Sequence, residues 1–284
     1  MYDAAMASVS GLQEETLQRV SGTARIRFAN TEGRTRLADL YQQGSAKIRL
    51  PRVYDATATA VLINTAGGLT GGDKLSYDIA IDENAHAIVT SQTAERAYRS
   101  KTGSAKVTGS LRVGAGATLE WLPQETILFD RSGLTRTLNA DLAVSARLML
   151  LETIVVGRTA MGETVRQVDF RDRWRIRREN RLVFADEVRY RGDPADFLSG
   201  PATAHGGHVV STFVDCAIDA EERLPHARAC LERLPATSTH GAATAWDGLL
   251  TARFVSDNSR DLRNALISFL TGYRSADLPR VWYC

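Results

Sequence analysis

The stretch Arg171-Asp172-Arg173-Trp174-Arg175-Ile176-Arg177 sets an arginine at every second position. On a helix these guanidinium groups would spread around the cylinder. On a strand they share one side, with Asp172, Trp174 and Ile176 on the other. The segment therefore reads as a strand with a cationic face. After the Glu179-Asn180 turn, Leu182, Phe184, Val188 and Tyr190 continue on a partner strand, where Glu179, Asp186 and Glu187 are placed to pair with the arginines. A solvated, self-neutralised face is one reading of this surface, and a partner-docking face is the other.

The same period extends outward. Leu75, Tyr77, Ile79 and Ile81 alternate with polar residues and run into an Asp82-Glu83-Asn84 turn. Val107, Gly109, Leu111 and Val113 alternate before Gly114-Ala115-Gly116, and Leu119 with Trp121 begins another apolar face. Leu142, Val144, Leu148 and Leu150 read as a further alternating strand. Strands about ten residues apart, separated by glycine or acidic turns, predict stacked or sandwiched sheets rather than alternating β and α units. Helices come late. Pro225 opens a short pattern through Leu224, Ala227, Leu231 and Leu234 that ends at Pro235. A second helix starts at the caps Asn258 and Ser259, aligns Leu262, Leu266, Phe269, Leu270 and Tyr273, and takes Gly272 as its stop signal. The expected fold is mainly β, with about two C-terminal helices. Residues 1–20 are expected to be a poorly ordered lead-in to a single domain over 21–284.

Composition excludes several classes. The 284 residues carry 35 basic and 33 acidic side chains, for a net charge of +2. That balance gives no field that by itself implies nucleic acid or a membrane. Apolar content of 44% and charged content of 24% are globular values, which excludes a disordered or collagenous chain. Cys216, Cys230 and Cys284 are too irregularly spaced for a disulfide framework, and no CxxC pair suits a structural zinc. The start lacks the order of a signal peptide, and the most apolar run, Leu148 to Val156, is too short to span a bilayer and is broken by Glu152. A soluble cytoplasmic protein is expected.

Chemistry-bearing motifs are sparse. The glycines of Asn64-Thr65-Ala66-Gly67-Gly68-Leu69-Thr70-Gly71-Gly72-Asp73 suggest a phosphate loop, but Asp73 stands where lysine is needed and a strand follows instead of a helix. What remains is an acid aimed by a glycine turn, or one that hydrogen-bonds nearby amides. His205-Gly206-Gly207-His208 is the only close histidine pair, a weak metal signal without a third ligand nearby. No serine triad elbow and no Cys-His signature occur. A carboxylate pair for glycoside chemistry stays open.

Several pieces occur in the order seen in one known family. They are Gly67 to Asp73, Thr90-Ser91-Gln92, Tyr98-Arg99-Ser100, Leu122-Pro123-Gln124-Glu125-Thr126-Ile127-Leu128-Phe129, Gly157-Arg158-Thr159-Ala160-Met161-Gly162-Glu163 and Leu278-Pro279-Arg280-Val281-Trp282. With this order and spacing the chain, from about Gly22 to Trp282, resembles the urease accessory proteins UreD, also called UreH. It departs from them at Ala66, where many members have proline, and at Glu95-Arg96, where many have Thr-Lys.

The resemblance implies a β-helix-like body and no catalysis. It implies a scaffold that binds the helical protein UreF and, through it, the GTPase UreG, and that docks on urease apoprotein while nickel passes to the active site. A dimeric assembly through UreF is also implied, with nickel bound only transiently and no tightly held cofactor. An internal tunnel as the nickel route calls for hydrated carboxylates that hold a divalent ion weakly. The expected lining is drawn from Asp73, Glu125, Glu152 and Glu163, with structural ion pairs to the abundant arginines as the competing reading for each, and with His205 and His208 as a weaker metal alternative. Leu262, Leu266, Phe269, Tyr273 and Trp282 are the expected partner contacts, with closure of the core as the competing reading. Two readings from other classes remain: a carboxylate-dependent β-helix or β-sandwich enzyme acting on polysaccharide, and an anion or nucleic-acid module using Arg171 to Arg177. The second lacks the interleaved aromatics that stack bases.

Overall fold

The computed structural model describes residues 19–52, 57–158 and 162–284, so most of the expected lead-in lies outside the described residues. The chain passes repeatedly between two sheets. Strands β5 (Lys74–Ile81), β8 (Ala105–Val113), β11 (Ser132–Leu142) and β13 (Val168–Arg178) lie parallel, in that order, in a seven-stranded sheet. Between them β6 (His86–Ser91), β9 (Thr118–Trp121) and β12 (Arg147–Val156) lie parallel in a ten-stranded sheet. The result is a stack of solenoid-like coils, each laying one strand on each sheet. Apolar residues alternate inward from both sheets, and Leu75, Ile79, Leu111, Leu119, Leu148 and Leu150 form part of the core between them.

The turns at one edge are stacked as the strands are. Asn84 donates its amide to the Ala115 carbonyl at 2.9 Å, and the Gly116 amide donates to Ser145 Oγ at 2.9 Å. Gly116 sits at φ +65, and a Cβ there would come within 2.4 Å of Asn84 Oδ1, so the turn favours glycine. This stacking also corrects the strand expected over Leu142 to Leu150. The chain turns at Ala143–Ala146 and changes sheet, because Ala143 and Arg147 donate to the carbonyls of Val113 and Ala117, both at 2.9 Å, in the coil beneath.

At one end the stack is closed by β1 (Ser21–Thr31), paired parallel to β5, and by β2 (Arg34–Gly44), antiparallel to β1. Strands β3 (Ala46–Arg49) and β4 (Ala58–Asn64) do the same for the other sheet. At the far end β14 (Arg181–Gly192) pairs antiparallel with β13, bringing Glu187 to 2.9 Å from Arg171 and 4.0 Å from Arg175. Asp186 reaches across to Arg253 instead. Antiparallel β15 (Val209–Cys216), β17 (Leu249–Ser256) and β16 (His240–Trp246) extend the ten-stranded sheet, while short β7 (Glu95–Ala97) and β10 (Thr126–Leu128) pair parallel beside it.

Helices α1 (Pro194–Leu198), α2 (Leu224–Glu232) and α3 (Ser259–Arg274) complete the fold. Asn258 caps α3 by accepting from the Arg260 and Asp261 amides at 2.9 and 3.2 Å. The expected stop at Gly272 is corrected: α3 runs through it to Arg274 and is capped by Ser275, whose φ is +53. Gly272 instead lets α2 pack closely, since a Cβ there would lie 3.1 Å from Cys230 Sγ. Helices α2 and α3 cover the outer face of the ten-stranded sheet and form a second core with Ile88, Met149, Leu151, Phe213 and Phe254, whereas α1 packs beside β14 and buries Leu198 in the first core. No helix among the described residues is long and apolar enough to cross a membrane.

Candidate functional site

Three inward positions in the first core carry charge where the alternation calls for an apolar residue. Arg136 lies on β11 between inward Leu134 and Leu138, Glu152 on β12 between Leu150 and Ile154, and Asp172 on β13 between Phe170 and Trp174. Strand register sets Arg136 directly opposite Asp172. The Arg136 Nη1 donates to Glu152 Oε2 at 2.5 Å and to Thr126 Oγ1 at 3.0 Å, while Nη2 pairs with Asp172 Oδ2. Trp121 Nε1 donates to the other Glu152 oxygen at 2.9 Å. Asp172 Oδ1 and Arg136 Nε are buried without a hydrogen-bond partner. Two buried carboxylates thus share one guanidinium, an arrangement that sterically complementary apolar packing would match or exceed in stability.

These side chains line a cavity of about 280 Å³ between the sheets, with Tyr77, Glu95 and Gln124 also in its wall. A second cavity of about 30 Å³ also touches Glu152 and Asp172 and extends towards Trp174, Tyr190 and Thr212. Burial pushes the Glu152 carboxyl up; Arg136 pulls it down and Asp172 pushes it further up, for a net rise. Burial likewise raises Glu95, against hydrogen bonds from the Arg96 amide and from Asn64. Burial opposes the Arg136 charge, but Asp172 and Glu152 outweigh it and hold the proton more firmly than usual. A folded-state value raised above the ordinary one means that each ionised glutamate costs the fold stability as pH rises through that value. Acids kept at such a cost in a cavity wall are candidates for a functional site.

Of the acids singled out in the sequence, the structure brings only Glu152 to this cavity. Asp73 is buried in its glycine turn, where its oxygens accept from the Val20 and Thr70 amides, both at 2.8 Å. Glu125 pairs with Arg263 at 3.1 Å beside Trp282. Glu163 accepts from the Arg158 amide, the Arg158 Nε and the Asp130 amide; burial opposes its charge, but these contacts outweigh it and lower its carboxyl. Arg136, Asp172 and Glu95 were missed. For Arg136 and Asp172 the signal was present as charges at inward positions of alternating strands. His205 is exposed on a turn and His208 is half-buried, its imidazole lowered by burial against the pull of Asp257. Among the described residues no group of three or more His, Cys, Asp or Glu side chains is placed to hold a metal ion. Leu262, Leu266, Phe269, Tyr273 and Trp282 are all buried in the second core, each 5% exposed or less.

A second buried cluster ties α3 to the sheet. Glu120 on β9 takes His86 Nε2 at 2.8 Å on one oxygen and Arg274 on the other. Burial would raise this carboxyl, but the His86 hydrogen bond and the Arg274 charge outweigh it and hold it below its ordinary 4.5. A lowered folded-state value gives stability that is present above the unfolded value and lost as pH falls through the folded one. Glu120→Gln should therefore cost about 1–3 kcal/mol at neutral pH, and the gap to the native protein should narrow below the ordinary glutamate range. Melting temperatures of both across pH check this; parallel curves would remove Glu120 from the acid limb.

Comparison with known proteins gives the chain relatives along most of its length. Residues 20–283 match the family model described as UreD urease accessory protein. The chain is 42% identical over 266 residues to a urease accessory protein UreD of Rhizobium rhizogenes, covering 93% of this chain and 96% of that protein. It is 44% identical over 268 residues to the protein of that name from Jannaschia sp., covering 94% and 97%. A further relative of that name, from Methylobacterium sp., is 44% identical over 252 residues, covering 88% and 89%.

Proposed function

The chain belongs to the UreD urease accessory protein family, with the role in urease maturation that this entails, and from that premise we propose that it is a non-catalytic scaffold through which nickel travels as cargo. In this reading it binds UreF and, through it, UreG, docks on urease apoprotein, and passes the ion between its two sheets. The observation that carries the reading is the intersheet cavity of about 280 Å³ with Glu95, Glu152 and Asp172 in its wall. Carboxylates suit a cation in transit because, short of a closed cage, they bind a divalent ion weakly enough to release it. His205 and His208 are the weaker alternative for a resting point on the route.

Partner binding at α3 draws on the outer side of the helix. Arg260, Asn264 and Ser268 are exposed there, while Leu262, Leu266, Phe269, Tyr273 and Trp282 shape that surface from beneath.

Amide substitutions test the route. Glu152→Gln and Glu95→Gln should fold, bind UreF and yet lower the nickel content and activity of urease several-fold, because they remove charge from the cavity wall. Glu95→Gln should not lower the melting temperature, since ionising this acid costs the fold stability. Asp73→Asn replaces an oxygen that accepts a backbone amide, so it should lower stability first, by about 1–3 kcal/mol. If both glutamine variants fold, bind UreF and load urease with nickel at the native level, the cavity is not the route.

A further inference from the structure

We propose that Arg136 is a displaceable internal cation that keeps the passage between the sheets shut, holding the two carboxylates that a divalent ion in transit would take. This inference rests on the proposed nickel route and assigns its regulation.

Position comes first. Glu152 and Asp172 line both the 280 Å³ cavity and the 30 Å³ cavity, and the Arg136 side chain bridges them. The two spaces therefore meet at these two carboxylates, and the guanidinium that ties them together stands on the large-cavity side. Charge comes next. Two carboxylates against one guanidinium leave the cluster with an excess negative charge, and Arg136, Glu152 and Asp172 are 12%, 8% and 5% exposed. Without Arg136 these acids would have to take up protons or another cation, because bare buried charge is too costly.

The cluster also has unused coordinating capacity. Asp172 Oδ1 has no hydrogen-bond partner although its side chain is only 5% exposed, and Asp172 is a residue of the wall both cavities share. The arginine fork consumes one oxygen of each acid, and Thr126 Oγ1 lies 3.0 Å from Nη1. Once the fork swings away, the two carboxylates and this hydroxyl form an oxygen-donor pocket for a hydrated divalent ion. Arginine does not give up its proton in a protein, so the exchange is a movement of the side chain and not a titration. The Phe170 ring lies 5.8 Å from the Arg136 Cζ, so the paired guanidinium also carries a cation–π contact.

The test uses the full chain, Arg136→Gln and Arg136→Ala, with Ni²⁺ as probe and Mg²⁺ as comparison. The native protein is expected to show little change in melting temperature with Ni²⁺ and to retain little of it in equilibrium dialysis. Each variant should retain Ni²⁺ roughly tenfold more tightly and gain melting temperature with it, since a ligand of the folded state stabilises that state. A variant that does not fold alone should be recovered by refolding with Ni²⁺ or with methylguanidinium, either of which restores the missing charge. Adding Glu152→Gln and Asp172→Asn to either variant should abolish the nickel effect.

The proposal is overturned by a folded variant that retains no more Ni²⁺ than the native chain, by an unfolded one that neither cation recovers, or by a nickel effect that survives loss of both acids. Urease maturation in a strain lacking the chain is scored separately. Normal maturation there would remove the nickel-route reading while leaving the measured cation exchange at position 136 in place.

Discussion

Phe269→Ala will lower the stability of the protein by about 3–5 kcal/mol, the cost of deleting a fully buried aromatic side chain. Phe269 is 0% exposed at the centre of the second core. Its ring meets Phe213 at 5.5 Å and Phe254 at 5.1 Å edge-on, and stacks on Tyr273 at 5.6 Å. These partners come from β15, β17 and α3, so the cavity left behind would be walled on several sides by elements that cannot all collapse inward. For a chain of this size the melting temperature should fall by roughly 10 °C. Ser268→Ala, on the exposed side of the same helix, should change the stability by less than about 1 kcal/mol. Calorimetric melting of both variants decides the matter; similar losses would mean that α3 docks loosely. Phe269 was expected as a partner contact or a core residue, and any loss of UreF binding by this variant should track its loss of fold.

The stacked-sheet architecture was legible because its determinants are local. Period-two alternation in Lys74–Ile81 and Ala105–Val113, with glycine or acidic turns between strands, is fixed by which side of each strand is buried. The arginines of β13 announced a strand for the same reason. The turn at Ala143–Ala146 was not legible, since it contains no glycine or proline and its alternation runs on unbroken. It is imposed by hydrogen bonds to the coil beneath, whose register is a property of the whole stack. Gly272 misled because a glycine near a helix end reads as a stop, whereas here it makes room for Cys230. The site was half visible. Glu152 stood out by interrupting an apolar run, but its partners Arg136 and Asp172 come from β11 and β13, and only pairing across strands brings them together. Glu95 lies on a three-residue strand, too short for any period to show.

Trp282→Ala is the other change expected to cost about 3–5 kcal/mol, and its effect should reach the cavity as well as the fold. The residue is 2% exposed, and its Nε1 donates to the buried Thr90 Oγ1 at 3.2 Å. Its carbonyl accepts from Arg263 Nη2 at 3.0 Å, and the same guanidinium lies 5.5 Å from the Trp282 ring. The neighbouring Val281 carbonyl accepts from Gln124 Nε2 at 2.9 Å, and Gln124 also stands in the wall of the large cavity. The chain end thus clamps the segment that carries Glu125 and Gln124 against β6. Removing the indole deletes the packing, leaves the Thr90 hydroxyl without its donor and frees Arg263 from one side. Trp282→Phe keeps most of the volume and loses the N–H, so its cost should be about 1–2 kcal/mol. Tyr283→Ala, at a side chain 54% exposed, should cost well under about 1 kcal/mol. The order Trp282→Ala, Trp282→Phe, Tyr283→Ala in melting temperature is the expected result. Equal, small losses for all three would show that the tail lies on the core without closing it. A tail that closes the core should also protect the Gln124 to Thr126 amides from hydrogen exchange, and that protection should fall in Trp282→Ala before the strands of the stack open.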